Sequence, residues 1–232
     1  MDGPVKIIEL KESVFKDNDE KADELRNKLK KDGVFLLNLM SSPGSGKTTT
    51  LINLINKIKD KVKIGVMEAD IDGDIDTSDV IKYTGVNAIQ LHTGGMCHLD
   101  ASMTSQGLEG LDNTRFDLIF LENVGNLVCP AEFDTGASKN AVILSVPEGD
   151  DKPLKYPLMF EKVDLVIINK IDVAKYFDFD FKKCEEWIRL RNKHCKIIKI
   201  SAKTGEGINE LANYILNEVK TWKESKDNAW TK

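Results

Sequence analysis

Residues 34–59 constrain this chain more than any other stretch. Val34–Met40 is a nearly continuous apolar run, the pattern of a strand buried on both faces. It leads into Ser41-Ser42-Pro43-Gly44-Ser45-Gly46-Lys47-Thr48 and then the helical pattern TTTLINLINKIK. The loop matches the phosphate-binding pattern G-x-x-x-x-G-K-S/T at every fixed position but the first, where Ser41 replaces Gly. Gly44, Ser45, Gly46 and Thr49 bring backbone N–H groups around phosphate oxygens, and Lys47 reaches the outer oxygens. The Thr48 hydroxyl suits Mg²⁺, and the helix points its positive end at the anion. Ser42 is not lysine, so the variant loop of partitioning ATPases does not fit.

Further strands fall into the order such a chain needs. Lys61–Ala69 ends at Asp70 and the acid-rich segment 70–76, and Asp70, with Asp76 as second choice, is expected to hold a Mg²⁺-bound water or the attacking water. Leu118–Leu121 ends at Glu122, with Gly125 three residues on; a carboxylate and a bare backbone N–H suit Mg²⁺ and a terminal phosphate. Val163–Ile168 leads into Asn169-Lys170-Ile171-Asp172. The Asp172 carboxylate can accept from two ring-edge N–H groups that guanine has and adenine lacks, and the Lys170 stem covers the base. Lys196–Ile200 then delivers Ser201, Ala202 and Lys203 as backbone support for the base. With strands at 86–91 and 141–146, the expected fold is an α/β P-loop NTPase, a mostly parallel sheet with helices on both faces and nucleotide at the carboxyl edge.

A single nucleotide-binding domain over 1–232 fits the length. Residues 18–32 read as a leading helix capped by Asn18 or Asp19 and ended by Gly33. A closing helix over 207–223 is followed by a polar tail, 224–232, containing Trp230. The net charge of −5 argues against a sequence-independent grip on nucleic acid, and no apolar run is long enough to span a membrane. Four unevenly spaced cysteines suggest a reduced, cytoplasmic protein.

Two of those cysteines carry chemistry. Cys97-His98 opens a helix expected from Leu99 to Gly110, whose N-terminus would favour a thiolate, and Cys129 lies four residues beyond Gly125. One imidazole and two thiolates suit Ni²⁺ or Zn²⁺, and parallel strands would bring both loops to one sheet edge. Three ligands leave a tetrahedral shell one short, to be completed by water, another side chain or a second subunit. Cys184 and Cys195 read as structural and His194 as a surface residue, while His92 could support the metal site from behind its ligands but reads better as having no such role.

Taken with the segments 93–101, 122–131 and 148–151, these motifs make residues 5–220 resemble the GTPases that help insert nickel into nickel–iron hydrogenase. The resemblance implies GTP/GDP and Mg²⁺ as cofactors and a GTP-dependent homodimer with Cys97, His98 and Cys129 as metal ligands. It also implies a small nickel-binding accessory protein and the hydrogenase large subunit as partners. An N-terminal Cys-rich motif and a His-rich stretch found in some members are missing, so only the metal site of the GTPase domain carries over. Asn126, not Gln or His, follows Gly125, which predicts slow intrinsic GTP hydrolysis. Lys152 is a candidate to reach a partner's nucleotide. The rival readings are a urease-maturation GTPase, disfavoured by Ala131 after Pro130, a GTP-operated switch with structural cysteines, and an ATP-dependent small-molecule kinase, disfavoured by Asn169–Asp172.

Overall fold

The computed structural model describes residues 10–70, 75–111 and 115–227. Trp230 and the acids at 72 and 74 therefore lie outside the described residues. The strands are β1 (Phe35–Ser41), β2 (Ile64–Asp70), β3 (Asn87–His92), β4 (Leu118–Glu122), β5 (Lys139–Ser145), β6 (Leu165–Asn169) and β7 (Lys196–Lys199). They form one sheet in the order β3-β2-β4-β1-β5-β6-β7. Every pairing in it is parallel, a stricter result than the mostly parallel sheet expected. The helices are α1 (Leu10–Asp32), α2 (Lys47–Ile58), α3 (Ile75–Thr84), α4 (Ala101–Gly110), α5 (Cys129–Glu132), α6 (Lys152–Lys155), α7 (Pro157–Lys162), α8 (Phe181–Arg191) and α9 (Ile208–Asp227).

Strand period explains the layering. Phe35, Leu37 and Leu39 of β1 face α2 and α9, packing with Leu51, Ile55, Leu211 and Ile215. On the other face, Leu36 meets Leu25 and Leu29 of α1, while Met40 meets Met159 and Phe160 of α7. The polar residue within β1, Asn38, is satisfied across strands: it donates to Asn140 Oδ1 at 2.9 Å and accepts from Asn123 Nδ2 at 3.1 Å. This amide ladder ties β1 and β5 to Asn123, the first residue of the loop that follows Glu122.

Two helix boundaries differ from the sequence expectation. Helix α1 is already helical at Leu10, so Asn18 lies inside it and cannot be its cap; the buried Asn18 amide bonds to other segments instead. Its C-terminus does end at Gly33, with φ 73° and the paired bonds Val34 N–H to Leu29 O and Gly33 N–H to Lys30 O of a Schellman turn. Helix α9 runs on to Asp227, so the start of the expected polar tail is helical. Among the described residues no helix is long and apolar enough to cross a membrane.

Candidate functional site at the carboxyl edge

Parallel strands deliver all their outgoing loops to one edge, and three groups of side chains meet there. The first is the phosphate loop between β1 and α2. Gly46 has φ 95°, and a Cβ on it would lie 2.6 Å from Asn169 Nδ2, so only glycine fits. Lys47 Nζ donates to Ser41 Oγ at 3.1 Å, which gives the residue replacing the usual first glycine a part in aiming the lysine. Thr48 Oγ1 sits 3.5 Å from Glu122 Oε1, and Lys47 Nζ is 3.9 Å from the same oxygen. Thr49 is exposed and lines the open groove beside Gly46 and Thr48, and the Ser45 side chain is buried.

The structure adds a residue that sequence reasoning missed. Glu68 stands in register with Glu122 on the neighbouring strand, and both are buried, at 2% and 4% exposure. Glu68 Oε2 accepts from Thr77 Oγ1 at 2.9 Å, while Glu68 Oε1 and Glu122 Oε2 have no hydrogen-bond partner among the described residues. Burial and then the neighbouring Glu68 push the Glu122 carboxyl well up, against the pull of Lys47. A cavity of about 500 Å³ opens on this pair, lined also by Lys47, Asp70, Asp76 and Gly125. Asp70, the favoured acid in the sequence, is exposed at the mouth of that cavity rather than beside Glu122. A charge inside the apolar strand IGVMEA was the available signal, since glutamate is almost never buried without a task or partner.

The second group lies after β6 and β7. Asn169 Nδ2 donates to Ser45 O at 2.9 Å, and its Oδ1 accepts from the N–H of Lys170 and of Ala202. Lys170 takes the left-handed conformation, φ 63°, and its Nζ donates to Gly44 O at 2.6 Å. Ser201 Oγ donates to one oxygen of Asp172 at 2.7 Å, fixing the carboxylate. Lys203 is exposed beside them.

The third group joins the loops after β3 and β4. One donor atom each from Cys97, His98 and Cys129 lies within 4.8 Å of the others. The two sulfurs are 2.9 Å apart, and both thiols are free. The close Cys97 thiol, followed by burial, pushes the Cys129 thiol up. Burial lowers the pKa of His98, outweighing Asp100 and Glu132, and so favours the neutral imidazole that ligates metals. One expectation changes here: α4 begins at Ala101 with the Asp100 side chain accepting from Met103 N–H at 2.8 Å, so a carboxylate, not the Cys97 sulfur, answers that helix end. Cys184 is enclosed in the core, where burial drives its thiol up to about 12, Cys195 is buried as well, and His92 and His194 are exposed.

The second and third groups are linked through the phosphate loop. Gly125 presses on Pro43: a Cβ there would lie 3.1 Å from Pro43 Cγ and 3.2 Å from its backbone. The next residue, Asn126, donates to Cys97 O at 3.4 Å and accepts from Val128 N–H at 2.8 Å.

Fold and loops together define a P-loop nucleotide-binding protein whose phosphate site adjoins a cluster of thiol and imidazole donors. Residues 35–199 match the family model described as CobW/HypB/UreG, nucleotide-binding domain. The chain belongs to this family of P-loop GTPases, and within it to the hydrogenase maturation factors HypB. It is 43% identical over 210 residues to the hydrogenase maturation factor HypB of Azotobacter chroococcum, covering 90% of this chain and 68% of that one. A probable hydrogenase maturation factor HypB of Methanocaldococcus jannaschii is 38% identical, covering 93% and 97%. The crystal structure of HypB from Helicobacter pylori in complex with nickel superposes with a TM-score of 0.83 at 41% identity, covering 88% of this chain and 96% of that one.

Proposed function

We propose that this protein is a cytoplasmic GTPase that carries nickel to a nickel–iron hydrogenase under maturation, its guanine nucleotide controlling how tightly the metal is held. The observation that carries this reading is the contiguity of Pro43, Gly125, Asn126 and Cys97, which joins a phosphate loop to three metal donors. In this reading Asp172 and Lys170 select guanine, with Asn169, Ser201, Ala202 and Lys203 framing the base. Lys47 and the N–H groups of Gly44–Thr49 hold the phosphates, and the Gly125 N–H senses the terminal one. Magnesium suits the orphaned carboxylate oxygens beside Thr48: Thr48 and Glu122 would hold it, with Glu68 or Asp70 through water, and it would offset phosphate charge. Nickel is cargo, bound by Cys97, His98 and Cys129; Zn²⁺ suits the same donors.

Three donors per chain favour a homodimer that closes the coordination shell across a two-fold axis, and the whole chain acts as one domain. A small nickel-binding accessory protein and the hydrogenase large subunit are the expected donor and acceptor. Hydrolysis is expected to be slow, since Asn126 stands where Gln or His would orient water, and its shorter amide is already bonded to Cys97 O and Val128 N–H. A urease-type GTPase is the weaker reading, because Ala131 rather than His follows Pro130.

The test is a Ni²⁺ titration of the GDP form and of a form bound to a non-hydrolysable GTP analogue. A coupling of about 1–3 kcal/mol shifts affinity roughly 5- to 150-fold between the two, and linkage requires the same factor for nucleotide affinity with and without metal. Cys129→Ala should lose both the metal and the difference. Equal affinities in the two wild-type forms would leave a GTPase with a metal site but no nucleotide-driven carrier. Failure to bind Ni²⁺ or Zn²⁺ at all would leave a plain switch with structural cysteines.

A further inference from the structure

We propose that helix α1 is the positioning element of the Cys97–His98–Cys129 cluster, acting through Asn18 and through a ring stack that ends on His98; the proposal rests on the metal-site reading above. The two donor loops follow β3 and β4, which are separated in the sheet by β2, so no strand pairing sets one loop against the other. Asn18 does. Its Oδ1 accepts from Ala101 N–H at 3.0 Å, three residues beyond His98, and its Nδ2 donates to Asp134 O at 2.9 Å, five residues beyond Cys129. One buried amide on α1 thus ties the chain leaving the first donor loop to the chain leaving the second. Arg26, two turns further along α1, holds the same segment: Nη2 donates to both Asp134 carboxylate oxygens at 2.7 Å and Nε to Ala137 O at 2.9 Å.

The stack completes the brace. Phe133, directly after α5, lies 3.8 Å from the His98 ring at an interplanar angle of 14°, and Phe15 of α1 meets Phe133 at 4.9 Å. An imidazole ligates through a lone pair in its ring plane, so its plane must be fixed before the metal arrives. A ligating histidine is usually oriented by a hydrogen bond from its other nitrogen to a carboxylate or carbonyl. Here His98 Nδ1 is buried without a hydrogen-bond partner among the described residues, and the face of Phe133 stacked on the ring fixes the ring plane whichever nitrogen ligates. Phe133 and Asn18 are therefore positioning residues, not ligands.

The experiment compares Phe133→Leu, Phe133→Tyr and Asn18→Ala with the wild type and with Cys97→Ala. Ni²⁺ affinity is measured by competition, the thiolate-to-nickel charge-transfer bands by absorbance, and GDP affinity serves as the measure of an intact fold. Loss of an outer-sphere orienting group typically weakens metal binding 10- to 100-fold, and that loss is expected for Phe133→Leu and Asn18→Ala, with shifted bands and unchanged GDP affinity. Phe133→Tyr keeps the stacked ring and should keep both wild-type affinity and spectrum. Wild-type nickel affinity in Phe133→Leu overturns the proposal. So does a parallel loss of GDP and nickel affinity, which would make α1 a brace for the whole fold. If instead Cys97→Ala binds nickel like the wild type, the metal-site reading itself fails, a result the Asn18 and Phe133 variants cannot mimic.

Discussion

At the guanine end of the sheet edge, the residues that would read the ligand also build the site. Asn169 ties its own loop to Ser45 and Ala202, Lys170 reaches back to Gly44, and Asp172 is held by Ser201. At the metal end the work is divided. Cys97, His98 and Cys129 would supply donor atoms, whereas Asn18, Arg26 and Phe133 bond to or stack on the segments that carry them. Chemistry and scaffold coincide in one region and are separate in the other. The guanine end should therefore fail completely when one motif residue is lost, while the metal end should be open to gradual tuning from outside its motif.

Removing the guanine reader tests the first half of that contrast and should give the largest effect. Asp172→Ala removes two charge-assisted hydrogen bonds, each worth about 1.5–3 kcal/mol, so GTP affinity should fall about 10²- to 10⁴-fold. Preference over ATP should collapse with it while Ni²⁺ affinity of the nucleotide-free protein stays unchanged; competition binding measures both. Retained GTP preference would move base recognition elsewhere.

Next in size is the buried acid pair between the two ends. Burial chiefly, opposed by the Thr77 hydrogen bond, pushes Glu68 up to about 7 from its usual 4.5. The folded protein then keeps a proton that the unfolded chain releases between those values, so stability falls as pH rises through this window. Above pH 7 the buried charge costs on the order of 3 kcal/mol, since each tenfold change in proton affinity is worth about 1.4 kcal/mol. Without nucleotide and magnesium, Glu68→Gln should gain about that much over the wild type at pH 8, and little at pH 4. Urea unfolding at the two pH values checks this, and an equal gain at both would mean that packing, not charge, sets the difference.

The same contrast explains what could be read from the sequence. The strands' places along the chain and the phosphate loop were legible because a buried parallel strand and a glycine-rich turn impose composition locally, at Val34–Met40 and Gly44–Lys47. Cys97, His98 and Cys129 stood out as residue types that suit soft metals, and the fold brings them together. Glu68 was hidden because its meaning lies in register with Glu122 on another strand. That α1 already runs from Leu10 to Asn18 was missed because Asn18 and Asp19 resemble a cap. In the fold the Asn18 amide instead satisfies groups at positions 101 and 134, and no local pattern contains such a partner.

A smaller effect separates the two ends by pH. The Cys129 thiol is pushed up by Cys97 and by burial, so it is protonated at neutral pH and must release its proton to bind metal. His98 is lowered, already neutral there, and releases none. Nickel affinity should accordingly rise with pH between 6.5 and 8 by up to about tenfold per pH unit for each thiol proton released. GTP affinity should change far less across the same range. Calorimetry in buffers of different ionisation enthalpy counts the protons directly, and a flat profile would mean that Cys129 is not a ligand.

The smallest change probes the hinge between the regions. Gly125 has an ordinary backbone conformation, so alanine is locally allowed there, but its Cβ would stand 3.1–3.2 Å from Pro43 Cγ, Cα and N. Two of those three atoms are backbone and cannot turn aside, so the loop carrying Asn126 must back away from the phosphate loop. Overpacking of this kind costs about 1 kcal/mol at its mild end, and thermal unfolding should register it. The telling quantity is the ratio of nickel affinities in the analogue-bound and GDP-bound forms. If the phosphate loop acts on Cys97 through Gly125 and Asn126, Gly125→Ala should shrink that ratio towards one while leaving nickel affinity of the GDP form close to wild type. An unchanged ratio with the same loss of stability would show that the loop bears on the fold but does not transmit the nucleotide state to the metal cluster.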